Sequence, residues 1–106
     1  MITPPRTLPD SYRDTWDRLA PLLESMGTLR EPDAEALARY ILISVEYAHI
    51  SSQTVQAISA GDAEATKAWL GMQDRLAKQL AEYETRFGLT AKSRKDNGWI
   101  LPQEAK

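Results

Sequence analysis

An all-α domain of three main helices, at about residues 9–26, 32–58 and 62–87, followed by a short C-terminal turn or helix, is the fold this chain predicts. Two observations give the helices: apolar residues recur at helical spacing, and the breaks between periodic stretches fall at Gly27, Ser59-Ala60-Gly61 and Gly88. A third gives the assembly. Between Tyr40 and Ile50 large apolar side chains point in nearly every direction around a helix, with Glu46 the one residue certain to be charged. A helix apolar all round is buried all round. Two neighbouring helices of so short a chain cover only part of that surface, so other copies are expected to cover the rest. At 106 residues the chain is one domain, with a core that buries roughly 60–70% of the surface of the unfolded chain.

Residues 1–8 read as a flexible proline-rich arm, because Pro4 and Pro5 favour extended backbone and little there is apolar enough to bury. The helical domain, residues 9–95, opens with Pro9, a good first helical residue, and with Asp10 and Asp14, which complement the positive N-terminal end of a helix. Tyr12, Trp16, Leu19, Leu23 and Met26 then share an arc of roughly 80°. Pro21 lies opposite that stripe, where water satisfies the carbonyl it strands, so a bend rather than a break is expected. Gly27 ends the helix.

Pro32 with Asp33 and Glu35 opens the second helix. Ala34, Leu37, Ile41, Ser44, Ala48, Val55 and Ile58 continue one face along it, and the polar run Ser51 to Thr54 marks an expected bend or short break. Asp62 caps the third helix. There Ala65, Trp69, Met72, Leu76, Leu80, Tyr83 and Phe87 occupy roughly an 80° arc. Lys67, Arg75, Lys78 and Arg86 lie opposite, interleaved with Glu64, Asp74 and Glu82. Asp74 to Lys78 and Glu82 to Arg86 have the favourable i,i+4 order, so this side reads as a solvated face laced with ion pairs. Gly88 is a left-handed cap and Thr90 starts a further turn through Ser93 and Arg94. Residues 96–106 form a tail with a turn at Asn97-Gly98.

Composition removes whole classes of chemistry. The chain has no cysteine and one histidine, His49, so it lacks a disulfide framework, thiolate chemistry and the nitrogen and sulfur ligands of a zinc site. No metal and no cofactor is expected. Ser44, Ser51 and Ser52 lie near His49, but no third group orients the imidazole for nucleophilic catalysis. No glycine-rich phosphate loop is present and no carboxylate other than the lone Glu46 falls among apolar residues, so no acid–base pair is set up and the chain is not read as an enzyme. No apolar run approaches the ~20 residues of a membrane span. A soluble, cytoplasmic protein that binds no membrane is expected.

Three groups of residues remain as candidates for binding. Tyr40, Ile43, Tyr47 and Ile50, with Trp69, Met72 and Leu76 on the third helix, read as core or subunit interface. Arg86, Lys92, Arg94 and Lys95 face only Asp96 in the most basic stretch of a chain whose net charge is −2; they either meet a phosphate backbone or stand in solvent. Trp99, Ile100 and Leu101 put three bulky apolar side chains into the tail; since the helix stripes already fill a core of this size, all three are expected to dock on a partner outside the three-helix unit rather than to pack on it.

The order of these features resembles a known family. A proline-rich arm, Leu8-Pro9, Trp16 with Leu19, Leu23 and Gly27, and Asp33 with Leu37 and Tyr40 look like the start of a phage terminase small subunit. Leu76, Leu80, Phe87-Gly88-Leu89-Thr90-Ala91 and Ser93-Arg94 resemble its closing G-L-T-P-x-x-R pattern, with Ala91 where proline is usual and a short link between the second and third helices. The resemblance implies a non-enzymatic part of a DNA-packaging motor acting in the host cytoplasm. Such subunits self-assemble into rings, hold double-stranded viral DNA and deliver it to a large terminase subunit that carries the ATPase and nuclease. The residues alone leave two rival classes open: a helical adaptor or antidote that binds only protein, and a helix-turn-helix transcription factor. Against the latter, the candidate recognition helix sets Asp33, Glu35 and Glu46 against Arg39, an arrangement a phosphate-lined groove repels.

Overall fold

The computed structural model describes residues 2–104, except the side chain of Glu104. Met1 of the expected arm and Ala105 and Lys106 of the expected tail lie outside the described residues. The elements are α1 (Arg13–Met26), α2 (Ala34–Ser59), α3 (Ala63–Phe87) and α4 (Ala91–Asn97), with 3-10 turns at Asp10–Tyr12, Glu31–Asp33 and Pro102–Glu104. The main helices stand where periodicity and caps put them. α1 runs unbroken through the exposed Pro21 and buries Trp16, Ala20, Leu23 and Met26. Gly27, at φ 78°, then turns the chain so that the Thr28 N–H bonds the Leu23 carbonyl at 3.0 Å. That is the left-handed C-terminal cap glycine adopts without steric cost.

α2 and α3 pack as an antiparallel hairpin joined by Ala60, Gly61 and Asp62. Its register shows in cross-helix pairs: Tyr40 against Tyr83, 6.2 Å between ring centroids, and Thr54 against Gln73, 3.0 Å between Oγ1 and Oε1. The expected interruption of α2 does not occur. Thr54 Oγ1 lies 3.0 Å from the Ile50 carbonyl, and Ser44 Oγ donates to the Tyr40 carbonyl at 2.9 Å. Hydroxyls that bond back one turn leave the helical ladder intact.

α1 spans about 21 Å and α2 about 39 Å at 1.5 Å per residue. One short helix therefore covers only the start of the long one. The core gathers at that end, from Leu8, Trp16, Leu23, Leu29, Leu37, Ile41 and Phe87. The α2 face that begins at Ala34 is buried at Leu37 and Ile41, and then emerges: Val55 is 63% exposed and Ile58 59%. The far half of the hairpin projects beyond the core, and the molecule is correspondingly long, with principal extents of 50 × 32 × 21 Å.

Both ends of the chain close on α1. The arm contributes more to the core than its composition suggests, since Leu8 is buried. The Ile2 N–H donates to Glu24 Oε1 at 3.1 Å, Trp16 Nε1 donates to the Ile2 carbonyl at 3.4 Å, and Thr7 Oγ1 donates to Glu35 Oε2 at 2.9 Å. At the other end Gly88, at φ 76°, caps α3, Thr90 caps α4 through its Oγ1 and the Ser93 N–H, and the Pro102–Glu104 turn lies against α1. No helix among the described residues is long and apolar enough to cross a membrane.

Candidate functional site

The basic residues gather where α3 ends and α4 begins, at the core end of the hairpin, and most are already held. Arg86 Nη2 donates to Asp33 Oδ1 at 2.7 Å, with its guanidinium carbon 5.7 Å from the centroid of the Phe87 ring. Asp33 in turn accepts the Arg30 N–H at 3.1 Å. Lys92 Nζ pairs with Asp96 Oδ2 at 2.8 Å, and Arg94 Nη1 donates to the Gly88 carbonyl at 3.0 Å. Lys95 is exposed and has no ion pair among the described residues. The helical pairs expected on α3, Asp74 with Lys78 and Glu82 with Arg86, are not formed; Arg86 turns instead to Asp33 on the neighbouring element. Local spacing makes the Lys92–Asp96 pair legible in the sequence. The partner of Arg86 is 53 residues away and carries no such signal.

The residues expected at a subunit interface line the seam of the hairpin. Ile50 is buried between the two helices, and Tyr40, Ile43, Tyr47, Trp69, Met72 and Leu76 are half-buried. Tyr40 Oη donates to Glu84 Oε2 at 2.9 Å. Burial, then the hydrogen bond to and charge of Glu84, push its phenol up to about 12 from 10.0. Tyr47 Oη accepts from Gln73 Nε2 at 3.5 Å, a long contact that continues the polar layer set by Thr54. Six of the seven thus keep part of their surface open.

The tail divides. Trp99 folds over Gly88, its backbone N–H bonding the Arg94 carbonyl at 2.9 Å, and Leu101 packs on the core, whereas Ile100 between them is 55% exposed. Two inward neighbours therefore hold one outward aliphatic side chain in place. What sequence reading misses is the bare apolar surface at the far end of the hairpin. Ile58 and Leu70 line a shallow depression there with Gly61, Asp62, Ala63, Thr66 and Lys67. The signal is present in the sequence, because no Asp, Glu, Lys or Arg occurs between Tyr47 and Gly61.

No curated protein and no solved structure matches the chain. The family model described as phage terminase, small subunit, matches residues 13–100, from the first residue of α1 to the outward-facing Ile100. With most of its length covered by that model, the chain belongs to the phage terminase small subunit family.

Proposed function

We propose that this protein is the non-catalytic subunit of a phage DNA-packaging motor: it self-assembles, binds double-stranded DNA and hands it to the large terminase subunit. The family match over residues 13–100 carries the packaging role. The finer steps rest on surfaces. Self-assembly runs through α2 and α3, whose seam residues Tyr40, Ile43, Tyr47, Trp69, Met72 and Leu76 keep open surface beside the buried Ile50. DNA meets Arg86, Lys92, Arg94 and Lys95. The exposed ion pairs of Arg86 with Asp33 and of Lys92 with Asp96 are worth only about 0–1 kcal/mol each, so a phosphate can displace either aspartate. The large subunit docks on the tail, with Ile100 as the protruding contact held by Trp99 and Leu101.

A second reading, an adaptor that binds protein but no DNA, is favoured by one observation: Arg86, Lys92 and Arg94 already have partners within the chain. Fluorescence anisotropy of a labelled duplex, titrated with the protein over a salt series, separates the two. The packaging reading expects binding whose log affinity falls by roughly 0.9 per phosphate contacted for each unit of log salt. No binding at low salt contradicts it and leaves the adaptor.

A further inference from the structure

The basic end of the molecule includes one arginine that its place in the sequence hides. Arg30 stands in the loop between α1 and α2, far along the chain from the stretch that runs from Arg86 to Lys95. Two contacts bring it beside that stretch. Asp33 accepts the Arg30 N–H on Oδ2 at 3.1 Å and Arg86 Nη2 on Oδ1 at 2.7 Å, so a single carboxylate joins the Arg30 backbone to the Arg86 guanidinium. The same loop lies against the α3 cap, where a Cβ built on Gly88 stands 3.4 Å from Thr28 Cγ2. Arg94 Nη1 donates to the carbonyl of that glycine at 3.0 Å. Arginines from three separate segments therefore gather around Asp33 and Gly88.

Their states differ in a way that suits an anion. Arg30 is exposed and forms no ion pair among the described residues. Its backbone is fixed nonetheless, because its carbonyl accepts the Asp33 N–H at 2.9 Å and the preceding Leu29 is buried in the core. The chain is extended at Arg30, with φ −123° and ψ 169°. Successive side chains of an extended chain alternate, so Arg30 leaves on the side away from Leu29 and Glu31. Glu35, the next acid along α2 after Asp33, is taken by Thr7 Oγ1 at 2.9 Å. Arg86 and Arg94 each place one N–H on the chain, and a guanidinium has five in a planar fork, so their remaining donors are oriented rather than blocked. Groups ordered before binding lose less freedom when they bind. The fork matches two oxygens of one phosphate, and arginines on three segments match phosphates repeated along a backbone.

We infer that Arg30 completes the DNA site: with Arg86 and Arg94 it grips backbone phosphates where the α1–α2 loop meets the α3 cap. This rests on the DNA-binding reading above and adds to it a contact from a distant part of the chain.

The test is fluorescence anisotropy of a labelled duplex titrated with the full chain over a salt series, with circular dichroism as the check on folding. Arg30→Gln keeps both backbone hydrogen bonds and is expected to leave helicity unchanged. It should weaken duplex binding severalfold at low salt and flatten the slope of log affinity against log salt by about 0.9. Arg30→Lys keeps the charge without the fork, and should keep the slope while losing part of the affinity. Arg30→Gln combined with Arg86→Gln should flatten the slope by about 1.8, since each removes its own phosphate contact. A second measurement needs no variant and decides the matter should Arg30→Gln lose helicity: arginine modification by phenylglyoxal, read by mass spectrometry, should slow at Arg30 and Arg86 when the duplex is present. Unchanged affinity and slope in a folded Arg30→Gln, or modification of Arg30 at the same rate with and without the duplex, overturns its role while duplex binding by the unaltered chain still stands. No duplex binding by the unaltered chain at low salt overturns the DNA reading and this contact together.

Discussion

The six-membered ring of Trp99 lies so close over Gly88 that a Cβ built there stands 2.8 Å from Trp99 Cε3, and Gly88 is also in the left-handed region at φ 76°. The glycine is therefore required twice, once by the backbone of the α3 cap and once by the tail that closes over it. Gly88→Ala is expected to cost about 2–4 kcal/mol, combining the left-handed strain of a residue with a Cβ and the overpacking against the indole. Urea unfolding followed by tryptophan fluorescence measures it. The loss should shrink in a Trp99→Ala background, where the steric part has gone, and a near-neutral Gly88→Ala contradicts the packing described here.

The tail makes a paired prediction. Trp99→Ala removes an inward contact and should lower the melting temperature by roughly 5–10 °C, the equivalent of one or two kcal/mol in a domain of this size. Ile100→Asp changes an outward side chain and should leave the melting temperature within about 2 °C, as surface substitutions do, while weakening binding to the large subunit. If Ile100→Asp binds that subunit as well as the unaltered chain, Ile100 is not the docking contact.

Much of this architecture is legible in the sequence, and the exceptions have a common cause. α3 and its ends were readable because every signal is local: a 3.6-residue period, Asp62 accepting the Ala65 N–H at 3.0 Å, and Gly88 at the far cap. The continuity of α2 was not readable, since serine and threonine break a helix or bond back within it according to how the next helix packs, and here Thr54 meets Gln73. Burial of Leu8 and neutralisation of Arg86 by Asp33 likewise depend on segments distant in sequence. The candidate site follows the same division. Its residue types were readable, but their pairing, and the exposure of Val55 and Ile58 beyond the reach of α1, depend on helix lengths and register in three dimensions.

Tyr40 and Glu84 give a pH dependence with a definite sign. The folded-state phenol titrates near 12 against 10.0 for the free group. Folding thus favours the protonated form, and its contribution is fully present below pH 10 and lost as pH rises through 12. Tyr40→Phe removes the hydrogen bond at a cost of about 1 kcal/mol near neutral pH. The difference in stability between the two proteins should narrow as pH rises through that window, as followed by urea unfolding at a series of pH values. A difference that stays constant with pH rules out the Tyr40 phenol as the titrating group.

On the basic element, Lys92→Gln, Arg94→Gln and Lys95→Gln together should flatten the salt dependence of duplex binding by up to about three units of slope if all three meet phosphate. Asp96→Asn should act in the opposite direction, tightening binding, because it frees Lys92 from its 2.8 Å pair and removes a like charge from the approach of the backbone. Anisotropy titrations at several salt concentrations check both. Unchanged affinity and slope in both variants would mean that this stretch is only a solvated surface.

Sedimentation velocity of a labelled DNA duplex mixed with the full chain, detected by the label, reports both association with DNA and the mass of what is bound together, the two properties a packaging subunit needs. At low salt and tens of micromolar protein, the duplex is expected to move as a complex carrying several copies of the 11.9 kDa chain. A duplex that sediments as though no protein were present, or that carries one chain at a time, contradicts it.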